Sequence, residues 1–351
     1  MEFLKGINQI FAAIGVTETL IPLCTFILLA IVMLGIPAIV LTVLKAKHKI
    51  NGATKSFYLF VTPWIIGFLV FTLGPMLFSV YMSLHDWELV SDPIWVGLDN
   101  YKNMVSDPLV RKSLSVTFTY TFVAVPLQVI CAFLIAALMN IKMKGIKVFR
   151  TIFYLPNLVQ GVAQMVLFLW VFNPNIGLIN SVLEKFGIEG PGWFNDPAWS
   201  LPAIIIMSLW TVGGNMIIYL AGFQDISQSL YEQASVDGAK TIHKFWYITV
   251  PQMTPIIFFN MITAMIGAFQ TFTQGYLNNG GIKNSLLFYS YYLYENAFMW
   301  FKMGYASALA WLLFIIILIF TLLVFRSSSV WVYYETEMIT GRRKKRVEKK
   351  K

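Results

Sequence analysis

The sequence predicts an all-α polytopic membrane protein of about seven transmembrane helices, one extra N-terminal helix and a six-helix core, with a cytoplasmic helical hairpin. Three observations carry that reading. The 351 residues are 58% hydrophobic and 12% charged, about half the charge of a soluble domain. Seven apolar runs are long enough to cross roughly 30 Å of hydrocarbon. The basic residues gather in alternate connections, with 19 of the 26 Lys and Arg on one side.

The first run, Leu20–Leu44, is followed by the basic stretch KAKHK and by no small-residue cleavage site. It reads as a retained helix rather than a signal peptide. The others are Phe57–Leu84, Leu114–Met139, Thr151–Phe172, Leu201–Leu220, Pro255–Tyr276 and Tyr305–Phe325. Their Pro and Gly residues are tolerable because neighbouring helices re-satisfy freed backbone groups. Lys45, Lys47, Lys49 and Lys55, then Lys142, Lys144, Lys147 and Arg150, then Lys240 and Lys244, then the tail, mark the cytoplasmic side. This places the N-terminus outside and the C-terminus inside. Three segments result: 1–56 with the extra helix and its basic linker, 57–326 as the transmembrane core, and the basic tail 327–351. The tail directly follows a membrane helix, so its expected contact is anionic lipid rather than nucleic acid.

Between the fourth and fifth core runs lies YEQASVDGAKTIHKFWYITVPQMTP, Tyr231–Pro255, too polar to span. Ser227 is placed to cap a first short helix. Asp237–Gly238 breaks it, since Gly accepts a positive φ. Thr241 is placed to cap a second helix, which Pro251 and Pro255 end. A short amphipathic hairpin, with polar residues outward, must pack on the transmembrane helices or on a partner. An interfacial helix resting on lipid is the alternative, but it predicts Lys on the polar face rather than Glu232, Gln233, Ser235 and Asp237.

Polar side chains within spans are costly unless they face a pathway or one another. Asn157, Gln160 and Gln164 recur at spacings of three and four. Ser208, Trp210, Thr211 and Asn215 follow in the next run, and Asn260, Thr263, Gln270, Thr271, Thr273 and Gln274 in the one after. These three runs hold no charged residue, so a pathway here suits an uncharged, hydroxyl-rich solute. Interhelical hydrogen bonding is the competing use of the same residues. Cys24 and Cys131 read as apolar filler. His48, His85 and His243 have no metal-ligand spacing, and the phosphate-binding pattern G-x-x-x-x-G-K-[ST] is absent, so no catalysis and no bound cofactor are expected. The aromatic stretch LLFYSYYLYENAFMWF reads equally as a headgroup-level belt or a docking surface.

The hairpin resembles the EAA loop of ABC importer permeases. Glu232, Ala234, Gly238, Ile248 and Pro251 match its pattern, while Gln233 stands for the first Ala and Val250 for Leu. VGLDNYKNMVSDPLV, FRTIFYLPNLVQGVA, FNPNIGLIN and GYASALAWLLFIIILIF extend the resemblance to the maltose-type sugar branch, the first of its two unlike permeases. The extra N-terminal helix is shared with some members, and Ile282 replaces the usual Pro after the GG pair. The resemblance implies a non-catalytic subunit of the bacterial cytoplasmic membrane, importing a sugar, with an oligosaccharide favoured. Its partners would be a second permease, two ATPase subunits that use ATP and Mg, and an extracellular solute-binding protein. It implies ATPase-coupling residues Glu232, Gln233, Ala234, Asp237, Gly238, Ala239, Ile248 and Pro251. It implies sugar contacts at Asn157, Ser208, Val212, Thr263, Gly267 and Gln270, with Val212 and Gly267 offering no side-chain hydrogen bond. The polar pattern of the runs adds Gln160, Trp210 and Thr211 to the expected pathway. A permease for a non-sugar solute, and a stand-alone carrier or channel, remain alternatives.

Overall fold

The structure, a computed structural model, describes residues 42, 51–89, 91–141, 143–159 and 161–333. The expected span Leu20–Leu44 (Thr42 apart), Gln160 and the tail beyond residue 333 lie outside the described residues. The chain divides into two compact units between Tyr81 and Met82. The first carries α1 (Gly52–Phe68), a π turn (Leu69–Leu73) and most of α2 (Gly74–Ser83). Ser56–Ser83 together form one apolar helix of membrane-spanning length, as expected for Phe57–Leu84.

In the second unit, β1 (His85–Asp86) pairs antiparallel with β2 (Ile94–Trp95) ahead of α3 (Asp99–Ser106) and the long α4 (Pro108–Met139). Asp107 starts α4: its carboxylate accepts from the Leu109 amide at 2.8 Å, and Pro108 supplies a first residue that needs no amide partner. α4 is the central post of this unit. α8 (Pro197–Leu209), α9 (Gly213–Asp225), α12 (Val250–Phe269) and α14 (Tyr289–Tyr294) all pack on it. Ala124, Ala132 and Ala136 on α4 are fully buried, because small side chains let helix backbones approach where lipid offers no hydrophobic drive. One cluster joins Phe133 and Ala136 to Met216, Tyr219, Phe223 and Met253. The larger cluster joins Tyr120, Ala124, Phe168, Phe269, Phe288, Tyr289 and Leu309, the last on α15 (Met303–Trp331).

Four described helices are long and apolar enough to span, and two bent pairs raise the number to six if each pair is one span. The expected run Thr151–Phe172 is not one straight helix. α5 (Ile146–Tyr154), continued by a 3-10 turn (Leu155–Leu158), meets α6 (Val162–Val171) at 103°. The turn holds Pro156, and Gly161 enters α6 at φ 69°, ψ −126°. The α5 end lies tight against α9, where a Cβ on Gly213 would collide with the Phe153 carbonyl oxygen. α8 and α9 bend by a milder 43°.

The first part of the aromatic stretch, residues 286–292, takes neither expected place, while Phe298, Met299, Trp300 and Phe301 stay exposed. Leu286, Leu287, Phe288, Tyr289, Tyr291 and Tyr292 are all buried. The Tyr289 hydroxyl donates to the Leu309 carbonyl at 3.0 Å, and its amide donates to the Thr117 hydroxyl at 2.9 Å. Tyr292 and Tyr305 both donate to the Asp107 carboxylate. Burial would raise the Asp107 pKa, but these bonds and the Leu109 and Val110 amides outweigh it and hold the carboxyl below its ordinary 3.8.

Candidate functional site

The first site is the hairpin. α10 (Gln228–Val236) and α11 (Thr241–Lys244) flank a turn at Gly238, whose φ is +75°. The Gly238 amide donates to the Ser235 carbonyl at 3.1 Å and the Ala239 amide to that of Ala234 at 2.9 Å. These bonds satisfy the end of α10 around a left-handed glycine. The Lys244 ammonium donates to the Ser235 hydroxyl at 2.6 Å, and the Tyr231 and Thr249 hydroxyls share a bond of 2.8 Å. Phe245 anchors the hairpin to α4 through Phe133, with ring centroids 6.1 Å apart.

Three local expectations are corrected here. Ser227 stands at the cap position, but its hydroxyl pairs with that of Ser229 at 2.8 Å instead of capping. Lys240 holds the cap position of α11, and Thr241 is its first helical residue. Pro251 and Pro255 do not end that helix. A π turn (Phe245–Thr249) joins α11 directly to α12, with Pro251 in the first turn of α12 and Pro255 inside it. The wide turn bonds the Val250 amide to the Phe245 carbonyl, five residues back, and Pro251 falls in a first turn, where a missing amide is cheap.

Glu232, Gln233, Asp237 and Gly238 are exposed, while Ala234, Ala239, Ile248 and Pro251 are half-buried. The exposed face is not purely polar. Val236 is 88% exposed and Tyr247 78%, and Ile242 and Trp246 stand out beside them.

The second site is a polar cavity of about 570 Å³ among α4, α6, α9 and α12. Its walls include Gln128, Gln164, Thr211, Asn215, Thr263 and Gln274. The Tyr120 hydroxyl reaches Ser208, Thr271 and Gln128, which ties Ser208 to the cavity edge. No Asp, Glu, Lys, Arg or His among the described residues lines it. Among the expected polar residues, Gln164, Thr211, Asn215, Thr263, Thr271, Thr273 and Gln274 line the cavity, and so does Gly267. Asn157, Ser208, Trp210 and Gln270 are not in its lining, and Gln160 lies outside the described residues. Ser208 donates back to the Ile205 carbonyl at 2.7 Å, and Trp210 packs edge-on against Phe168 with centroids 5.4 Å apart. Asn157 lies against Gly214, and exposed Gln270 ends α12. The contribution of α4 was missed. Its signal was Gln128, the sole amide side chain in 32 residues of helix, eight residues from Tyr120 and therefore on nearly the same face.

A polytopic membrane subunit with a solute-sized neutral cavity, and a surface hairpin continuous with one cavity wall, is the class these features define. The chain belongs to the binding-protein-dependent transport system inner membrane component family, whose family model matches residues 107–330. It is 42% identical over 300 residues to the probable ABC transporter permease protein YesP of Bacillus subtilis, covering 84% of this chain and 97% of that one. It is 33% identical to the lactose transport system permease protein LacF of Rhizobium radiobacter, covering 81% and 96%. Two solved structures share the fold. A bacterial ABC transporter that imports the acidic polysaccharide alginate aligns with a TM-score of 0.69 at 24% identity, covering 78% of this chain and 94% of that one. The alginate transporter in complex with a pentasaccharide-bound periplasmic protein gives 0.68 at 23%, covering 78% and 93%. Family membership removes support from the stand-alone carrier or channel.

Proposed function

We propose that this chain is the translocating, non-catalytic subunit of an ATP-driven importer that carries a neutral sugar, an oligosaccharide, inward by alternating access. The observation that supports the solute class is the cavity wall of amides, hydroxyls and one phenol without a charged side chain. Such groups bond to sugar hydroxyls without demanding a counter-charge. The lactose permease relative is consistent with this class. The partners are a second permease, two ATPase subunits that bind ATP and Mg, and a solute-binding protein on the outer face. The membrane is the bacterial cytoplasmic membrane, with the N-terminus outside and the C-terminus inside. Glu232, Gln233, Ala234, Asp237, Gly238, Ala239, Ile248 and Pro251 form the contact with an ATPase. Val236, Ile242, Trp246 and Tyr247 extend that contact as its apolar part. Asn157, Ser208, Trp210 and Gln270 border the route, while Thr211 and Thr263 touch solute.

The test is reconstitution with the partner subunits in liposomes and measurement of labelled oligosaccharide uptake. Uptake is expected to require ATP, and Gly238→Asp should leave hydrolysis running while abolishing uptake. Full uptake by this chain alone without ATP would sink the proposal. The sugar itself is identified by which carbohydrate raises the melting temperature of the cognate binding protein.

A further inference from the structure

A cavity of about 520 Å³ lies at the N-terminal ends of α4 and α8, away from both sites above. Lys112, Ser115, Val116 and Thr119 come from α4, and Pro197, Ala198, Leu201 and Pro202 from α8. Lys283 and Ser285 complete it from the connection after Gly281. Its lining holds two cations and no acid. Neither lysine has an ion-pair partner among the described residues. Asp196, just outside the lining, is occupied in capping the Ala198 amide at 2.9 Å, and even with it the local charge stays positive.

Two further observations point to a ligand. Ser285, a residue of this wall, is 6% exposed, and its hydroxyl, which lies against Gly281, has no hydrogen-bond partner. A buried orphan hydroxyl is costly and calls for explanation. The backbone beside it is left-handed at two successive non-glycine residues, Lys283 with φ 51° and Asn284 with φ 57°. Such conformations persist only where the surroundings impose them, and they gather at ligand clamps.

The shape beyond the lysines selects the ligand. Lys112, Val116, Thr119, Val123 and Ile130 follow one face of α4 at spacings of three, four and seven. Below the polar mouth, Val123 is 43% exposed and Ile130 54%, and Ile206 on the neighbouring α8 is 45%. A cationic mouth at a helix end, opening onto an apolar stripe that runs into the span, matches an anionic amphiphile. We infer that this cavity binds an anionic phospholipid of the adjoining leaflet, with its phosphate between Lys112 and Lys283, its polar head near Ser115, Thr119 and Ser285, and an acyl chain along Val123, Ile130 and Ile206. The assignment does not depend on the transport reading.

The test uses the full-length chain, delipidated in detergent and titrated with short-chain phosphatidylglycerol, short-chain phosphatidylcholine or inorganic phosphate, with binding read by native mass spectrometry. Phosphatidylglycerol is expected to bind more tightly than phosphatidylcholine. Lys112→Gln with Lys283→Gln should weaken phosphatidylglycerol about 30-fold, the product of two headgroup-lysine contacts, and leave phosphatidylcholine unchanged. The double Arg variant should retain binding, which separates lost charge from lost fold. Equal binding of the two lipids, or full affinity in the double Gln variant, overturns the inference. So does displacement of phosphatidylglycerol by phosphate over the same concentration range, which would make this a free-oxyanion site. Because no uptake is measured, failure here leaves the importer proposal standing.

Discussion

The end of the molecule around Asp107 and the hairpin around Gly238 solve opposite problems. At Asp107, two phenols and two backbone amides converge on one carboxylate, and the tyrosine-rich stretch folds inward beneath it. At Gly238, a polar turn stands in solvent with Val236, Ile242, Trp246 and Tyr247 uncovered. The first region is complete within this chain. The second has its internal bonds made and its apolar face left over, the condition of a surface finished by another subunit. The difference separates residues that hold the fold from residues that wait for a contact.

Mutations should divide along the same line. The largest loss of stability is expected at Gly304, where an added Cβ would meet the His85 carbonyl oxygen. Gly304→Ala should cost about 3 kcal/mol by overpacking, read as a lowered melting temperature in detergent. Asp107→Ala removes the α4 cap and strands two phenols, at about 2 kcal/mol. Gly238→Ala, with open space around its Cβ position, should cost about 1 kcal/mol from positive φ alone. Trp246→Ala should change the melting temperature of the isolated chain by less than about 0.5 kcal/mol equivalent, yet lower uptake by the assembled importer. A large stability loss for Trp246→Ala would erase the contrast.

Acid sharpens it further. The folded Asp107 pKa lies below its ordinary 3.8, so its contribution is fully present above that value. It is lost as pH falls through the folded pKa. Hydrogen exchange at the start of α4 should therefore rise below about pH 4, while exchange in α10 should not follow it.

Much of this was legible in the sequence. Apolar runs are a property of composition, so each expected run after residue 56 falls on a described long helix or on a bent pair of helices. The hairpin was legible because a glycine turn leaves a spacing signature. The 103° break was not, since Pro156 and Gly161 occur in straight spans as well, and the close approach of Phe153 to Gly213 is a tertiary fact. The inward fold of Tyr289 and Tyr292 was hidden because tyrosine suits a membrane interface and a buried hydrogen bond equally. The α4 part of the cavity wall, Tyr120 and Gln128, was missed because one amide in an otherwise apolar helix says little until the facing helices are known.

The join between hairpin and cavity has a mechanical consequence. α11, the π turn and α12 run from Thr241 to Phe269 with no loop between them, a rod about 40 Å long. Trp246 stands near one end, and Thr263 and Gly267 near the other. A helix unbroken by any loop couples its ends: a tilt at the hairpin would also move the cavity wall at Thr263 and Gly267, with any bend taken up at the π turn and Pro255.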